Sequence, residues 1–168
     1  MSEFLVVLLL PAALLAAAGW DLASYTIPNF IPIGLVAAFV AFTLAAGLSV
    51  GVVETHVLAG VLALALGFAL FAAGFAGGGD AKFFAAVCLW LGVPDLLQYA
   101  VAASLFGGGL TVGLLMFRSL PIPAALLNHE WICRLHDRKS GVPYGVALAA
   151  GAFVLLPYTE IFHASLHG

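Results

Sequence analysis

Long apolar segments separated by short polar connections constrain the fold of this chain more than any other feature. A helix that crosses the roughly 30 Å hydrocarbon core of a bilayer needs about 20 apolar residues. Segments largely of this kind occupy residues 4–20, 30–50, 57–76, 81–93, 96–117 and 143–162. Charged residues make up only 8% of the chain, against about 25% in soluble domains. The sequence therefore predicts an all-α integral membrane protein, in which residues 1–168 form a single bundle of about six transmembrane helices.

The basic residues predict how this bundle is oriented, because Lys and Arg concentrate on the cytoplasmic side of membrane proteins. With an outside N-terminus, the inner connections of six helices are residues 21–29, 77–80 and 118–142. The basic residues lie in or beside these connections: Lys82, Arg118, Arg134, Arg138 and Lys139. The opposite orientation would place all of them outside. We therefore expect an outside N-terminus and a multi-pass protein of the inner (cytoplasmic) membrane. The net charge of −3 gives no reason to expect a nucleic-acid partner.

One ionisable residue, Asp80, directly precedes the fourth apolar segment and follows Gly77, Gly78 and Gly79. This segment has only 13 residues, so as a helix it spans about 20 Å and leaves Asp80 at membrane depth near the inner face. An ionisable group at such depth favours a functional role. The alternative is that Asp80 caps the helix N-terminus. Capping alone does not explain three glycines, which permit unusual backbone angles and the close approach of another chain.

A second acidic residue, Asp21, directly follows the first apolar segment. Asp21 and Asp80 are therefore both expected at the inner ends of membrane helices, where they can meet. Two close carboxyls in a partly dry site do not ionise together, so one keeps a proton while the other is charged. Aspartic peptide hydrolysis needs this state, in which one carboxylate activates water and the other carboxyl polarises the scissile carbonyl. Taken alone, Asp21 is an interfacial carboxylate at a helix end.

Three motifs carry a resemblance to a known family. The stretch GGGDAK resembles the GxGD signature of intramembrane aspartic proteases. The stretch DLASYTIPN resembles the first-aspartate segment of type IV prepilin peptidases, in which Ile27, Pro28 and Asn29 follow Asp21. The stretch GVPYGVALAAG, residues 141–151, resembles the opening of the last helix of that family.

The resemblance implies a prepilin leader peptidase that removes a basic leader from type IV pilin-like precursors at the cytoplasmic face of the bilayer. Asp21 and Asp80 match the catalytic aspartates of the family, and no cofactor is implied. Supporting or substrate-binding roles are implied for Gly77, Gly78, Gly79, Lys82, Pro28 and Asn29. The chain resembles the short form, which has no N-terminal methyltransferase and zinc segment, so we expect peptidase activity without N-methylation. The competing hypothesis is a small transporter or scaffold with the two aspartates as proton or ion sites.

The inner segment 118–142 contains two further patterns. Its apolar residues recur at helical spacing and predict a short amphipathic helix on the inner membrane face: Leu127, Trp131 and Leu135. Three possible metal ligands recur at a similar spacing: His129, Cys133 and His136. We interpret them as polar residues of an interfacial helix and predict no metal site. The chain also has only two cysteines, which excludes a four-thiolate zinc site.

Overall fold

The structure, a computed structural model, describes residues 5–123, 126, 128–159 and 161–162. These residues form seven α-helices and no strand. In chain order the helices are α1 (Leu10–Ser24), α2 (Phe30–Ala46), α3 (Val50–Ala72), α4 (Gly78–Leu91), α5 (Val93–Phe117), α6 (Glu130–His136) and α7 (Tyr144–Leu155). A π-helical turn, Leu5–Leu9, leads into α1, and a 3₁₀ turn, Leu156–Tyr158, follows α7.

The prediction of an all-α membrane protein is confirmed. Three helical stretches are long and apolar enough to cross a bilayer: Val6–Ser24, Val50–Ala72 and Val93–Phe117. Two shorter apolar helices accompany them, Phe30–Ala46 and Tyr144–Tyr158. Many large apolar side chains point away from the protein, as lipid-facing side chains do. The outside location of the N-terminus stays a prediction.

Several helix ends differ from the apolar segments of the sequence. The first helix runs to Ser24 rather than stopping at residue 20, so Asp21 lies inside its last turns. The third begins at Val50 rather than at residue 57 and includes the polar residue His56. His56 stays helical because it is buried, with Nδ1 3.0 Å from the carbonyl oxygen of Leu89. Hydropathy does not anticipate such partners, which are distant in sequence.

Small residues set the distances between two pairs of neighbouring helices. On α3, a Cβ at Gly67 would lie 3.0 Å from Cα of Ala81 on α4. On α7, a Cβ at Gly151 would lie 2.9 Å from the backbone nitrogen of Ala103 on α5. Glycine at these positions lets the backbones approach closely, as small residues do in membrane proteins. Helix α4 is therefore held tightly against α3, and α7 against α5.

Aromatic side chains fill the core beside α4. The buried indole of Trp90 donates a hydrogen bond to the carbonyl oxygen of Leu35 at 3.0 Å. Its ring contacts those of Phe39 and Phe42 on α2, with centroids 5.6 Å apart in each case. The contact joins the later part of α4 to α2 and fixes the direction in which the start of α4 points.

The inner segment folds back against the bundle. The predicted amphipathic helix is present as α6, although it is short, and Leu127 lies outside the described residues. Leu135 is buried and Trp131 is exposed. Nε2 of His136 lies 2.7 Å from the carbonyl oxygen of Leu120, and Nη1 of Arg134 donates to the carbonyl oxygen of Ala23 at 3.2 Å. The basic segment and the last turn of α1 therefore lie at the same end of the bundle.

Candidate active site

Asp21 is held by the N-terminus of a helix that lies far away in the sequence. Its side chain is 3% exposed, and its Oδ2 accepts a hydrogen bond of 2.6 Å from the backbone N–H of Gly145. Gly145 belongs to the first turn of α7, where backbone N–H groups have no partner within the helix. A Cβ at Gly145 would lie 2.9 Å from Oδ2 of Asp21. Glycine is therefore what allows α7 to come close enough to bind this carboxyl.

Asp80 occupies the third position of α4 and caps that helix. Its Oδ2 accepts a hydrogen bond of 3.2 Å from the N–H of Gly77, the residue before the helix. Capping is thus one role of Asp80, as the alternative in the sequence analysis proposed. Gly78 and Gly79 are already helical, so only Gly77 remains as a non-helical glycine next to the carboxyl.

The two carboxyls lie at the same end of the bundle, since the start of α7 binds Asp21 through Gly145 and lines the cavity of Asp80 through Tyr144. Ile27 lies between the helices that carry and hold them. A Cβ at Gly79 would lie 3.3 Å from the backbone nitrogen and the backbone oxygen of Ile27, and a Cβ at Gly145 would lie 2.7 Å from its Cδ1. Glycines on α4 and α7 therefore close around Ile27, and this packing brings Asp80 toward Asp21.

A cavity of about 300 Å³ opens beside Asp80. Apart from this carboxyl, its lining is mainly apolar and comes from α3, the connection to α4, α4, α5 and α7. The polar residues that line it besides Asp80 are Ser104 and Tyr144. Tyr144 directly precedes Gly145, so α7 contributes both to the cavity and to the binding of Asp21. An otherwise apolar cavity with one carboxyl in its lining is an arrangement typical of ligand-binding sites.

The remaining residues that the sequence analysis singled out form a separate contact. Nζ of Lys82 donates a hydrogen bond to Oδ1 of Asn29 at 3.0 Å. Both residues line an apolar groove of about 680 Å³ between α2, α3 and α4, which does not include Asp80. Pro28 accepts a hydrogen bond of 3.1 Å from the N–H of Ile31 at the start of α2. Lys82 and Asn29 therefore join α4 to the start of α2.

Tyr25 was not singled out from the sequence, yet its conformation is unusual. Its φ is +56°, the one positive φ of a non-glycine residue among the described residues. This conformation ends α1, and at a bulky residue it costs about 1–3 kcal/mol; such strained residues cluster at functional sites. Its hydroxyl oxygen is buried and has no hydrogen-bond partner of good geometry within the described part of the chain. Burial raises the pKa of the phenol, which Arg118 offsets only in part, so the hydroxyl keeps its proton.

Arg118, at the end of α5, was used in the sequence analysis only for orientation. In the structure it is 8% exposed. Its Nε donates to the carbonyl oxygen of Leu135 and its Nη2 to that of Gly141, both at 2.7 Å. A buried guanidinium that binds two backbone carbonyls cannot be recognised from sequence, because neither carbonyl leaves a side-chain signature.

The possible metal ligands of the inner segment do not converge. His129 precedes α6, and His136 lies against Leu120 and packs edge-to-face with Phe117. Among the residues that the structure describes, no group of three His, Cys, Asp or Glu side chains is placed to hold a metal ion. Cys133 is partly buried and Cys88 is buried, and neither forms a disulfide.

Comparison with known proteins agrees with this architecture. The type IV leader peptidase family matches the chain over residues 8–112, which is well over half of its length. The matched region contains both Asp21 and Asp80. No curated protein and no solved structure matches the chain. The protein is therefore a membrane peptidase that belongs to the type IV leader peptidase family.

Proposed function

We propose that the chain is an aspartic endopeptidase that removes the basic leader from type IV pilin-like precursors, with Asp21 and Asp80 as its catalytic pair. The observation that supports this most strongly is that the start of α7 binds the Asp21 carboxyl through Gly145 and, through Tyr144, lines the same cavity as Asp80. Residues 1–168 act as one catalytic domain in the inner membrane. The family match supports a peptidase over a transporter or scaffold.

The chemistry follows from two carboxyls that share one proton. The ionised carboxyl accepts a proton from water while the water oxygen attacks the carbonyl carbon of the scissile peptide. The protonated carboxyl donates a hydrogen bond to the carbonyl oxygen, where negative charge develops. A proton then passes to the leaving amide nitrogen as the C–N bond breaks. Because the pair titrates as a unit, the acid and base roles belong to the pair.

The placement of the pair supports cleavage at the cytoplasmic face. Arg134 binds the carbonyl of Ala23, two residues after Asp21. The pair and the basic segment therefore lie at one end of the bundle, and basic segments are retained in the cytoplasm. A precursor whose apolar helix lies in the bilayer would present the peptide that precedes this helix at the same level. The apolar cavity beside Asp80 is suited to a side chain close to that peptide.

Reconstitution tests this proposal. The protein is incorporated into lipid vesicles together with several pilin-like precursors, and leader removal is followed by the mass of the product. We expect Asp21→Asn and Asp80→Asn each to lower the rate by about 10³-fold or more, the size of effect seen when an acid–base group is removed. Asn can still accept the hydrogen bonds from Gly145 and Gly77, so both variants should remain folded.

Glu54→Gln is the matched control, because Glu54 is an exposed carboxyl near the opposite end of α3 from the cavity. It should cleave at the wild-type rate. Wild-type rates in either Asn variant would exclude the pair mechanism, and a wild-type protein that cleaves no precursor would exclude the function.

The same vesicles test the orientation and the expected absence of N-methylation. Protease added from the side that corresponds to the cytoplasm should cut the chain between residues 137 and 141, where the backbone connects α6 to α7. Cutting from the opposite side would contradict the predicted topology. The mass of the cleaved product with S-adenosylmethionine present should correspond to a free amine, and a mass increase of one methyl group would contradict the peptidase-only assignment.

A further inference from the structure

Arg118 connects the two parts of the chain that surround Asp21. Through Nη2 it binds the carbonyl of Gly141, four residues before the Gly145 amide that binds the Asp21 carboxyl. Through Nε it binds the carbonyl of Leu135 at the end of α6. A planar guanidinium can hold two carbonyls in a fixed mutual geometry, which a lysine ammonium does not reproduce. The start of α7 is therefore anchored by a buried cation.

Tyr25 approaches Asp21 from the other direction. Its backbone N–H donates a hydrogen bond of 2.8 Å to the carbonyl oxygen of Asp21, which ends α1. Its phenol interacts electrostatically with Arg118 and with Asp21, although its hydroxyl forms no hydrogen bond of good geometry with the described residues. A left-handed residue is usual where a helix ends, but a bulky side chain there is uncommon. Its combination with a buried hydroxyl that has no well-aligned hydrogen bond favours a functional explanation.

We propose that Arg118 and Tyr25 are positioning residues that fix the Asp21 carboxyl for catalysis, a role that rests on the proposed function. Arg118 fixes the amide of Gly145 by anchoring the backbone at Gly141. The phenol of Tyr25 is close enough to both Arg118 and Asp21 to interact with their charges, and it thereby links the position of the guanidinium to that of the carboxyl.

Tyr25→Phe tests this directly, because it removes one oxygen and leaves the ring and the backbone in place. A purely structural role of the hydroxyl would lower the unfolding temperature on its removal, whereas deleting a buried hydroxyl that has no well-aligned hydrogen bond relieves its desolvation. We expect the unfolding temperature to stay the same or to rise. We also expect kcat for leader cleavage to fall by about 10- to 100-fold with KM within about twofold, as displacement of a catalytic group by up to 1 Å produces. Tyr158→Phe, at an exposed tyrosine beyond α7, is the matched control and should leave both constants unchanged.

Arg118→Lys tests the other half of the proposal, with Arg138→Lys at an exposed arginine as its control. Hydrogen–deuterium exchange of the peptide that covers residues 141–148 should be faster in Arg118→Lys, and kcat should fall at unchanged KM. Exchange at the wild-type rate would overturn the link between Arg118 and α7.

Three outcomes would overturn the assignment of Tyr25. These are wild-type kcat in Tyr25→Phe, a raised KM at unchanged kcat, and an unfolding temperature that falls as steeply as the activity. If the wild type cleaves precursors and Tyr25→Phe does so equally well, the proposed function stands and only this inference fails. If Arg118→Lys does not fold, the measurements on Tyr25→Phe still test the proposal.

Discussion

Gly145 offers the sharpest test of the geometry around Asp21. In Gly145→Ala the added methyl group would lie 2.9 Å from Oδ2 and 3.0 Å from Cβ of Asp21, and 2.7 Å from Cδ1 of Ile27. Non-bonded carbon atoms prefer about 3.5–4.0 Å, so about 0.5–1 Å has to be absorbed. The end of the Ile27 side chain can rotate away, but Cβ of Asp21 is fixed to the backbone of α1. Asp21 and α7 must therefore separate.

The separation has two consequences, one for stability and one for the rate of cleavage. Overpacking costs about 1–3 kcal/mol, and alanine in place of glycine inside a helix returns about 0.5–1 kcal/mol. The net loss in the free energy of unfolding is then at most about 2.5 kcal/mol. Displacing a catalytic carboxyl by about 1 Å costs about 10²-fold in rate, or about 2.7 kcal/mol in the activation barrier. We expect Gly145→Ala to fold and to cleave about 100-fold more slowly.

The assay is kcat/KM for leader removal, normalised to the folded fraction measured by thermal unfolding. Gly151→Ala is the first control, because its methyl group would also be crowded, 2.9 Å from a backbone nitrogen of α5, but away from Asp21. Gly19→Ala is the second, since nothing lies within 4 Å of its added Cβ, two residues before Asp21. The reasoning is refuted if Gly145→Ala cleaves at the wild-type rate, or if Gly151→Ala loses as much activity per folded molecule.

Three further substitutions test, one at a time, the cavity beside Asp80, the contact of Lys82 and the aromatic core. Ser104→Phe fills the cavity beside Asp80. We expect kcat/KM to fall by about tenfold, the scale of a misfit in an apolar pocket, at an unchanged unfolding temperature. A wild-type kcat/KM would show that the substrate does not occupy this cavity. Lys82→Met deletes the hydrogen bond to Asn29; calorimetry should show a loss of about 0.5–1.5 kcal/mol in stability, and a tenfold fall in kcat would instead assign Lys82 to the aspartate pair. Trp90→Phe deletes the buried hydrogen bond to Leu35 and should cost about 1–3 kcal/mol in stability, with activity per folded molecule retained; an unchanged unfolding midpoint would contradict this.

The helices could be predicted from the sequence, but their ends could not. Apolar length shows that a helix exists because burial in lipid needs a minimum number of apolar residues. The last turns of α1 contain Asp21, a charged residue that lies outside the apolar segment by which this helix was predicted. They persist because Gly145 donates a hydrogen bond to that carboxyl from 124 residues away. Prediction from composition therefore fails where a polar side chain is satisfied by a distant backbone group.

The candidate site shows the same division. Asp21 and Asp80 could be selected from sequence because an ionisable residue at membrane depth is conspicuous. Tyr25 and Arg118 could not, since a strained backbone and two backbone carbonyls leave no pattern in the side chains. Lys82 was conspicuous for the same reason as the aspartates, yet it bonds to Asn29 and lies outside the cavity of Asp80. Charge in an apolar segment locates a site but does not identify which neighbours share it.

Capping and catalysis are not competing explanations for Asp80. Both carboxyls of the pair accept a backbone N–H at the start of a helix, Asp80 at α4 and Asp21 at α7. A bond from a rigid helix end fixes the direction of a carboxyl at little loss of side-chain entropy, because the donor is already ordered. A pair that must hold a water and a peptide between its oxygens needs carboxyls whose directions are fixed, and the N–H groups of Gly77 and Gly145 supply this. The hydrogen bond from the helix start therefore prepares each aspartate for the proposed chemistry. Asn variants separate capping from catalysis, since they keep the hydrogen-bond acceptor and lose the acid.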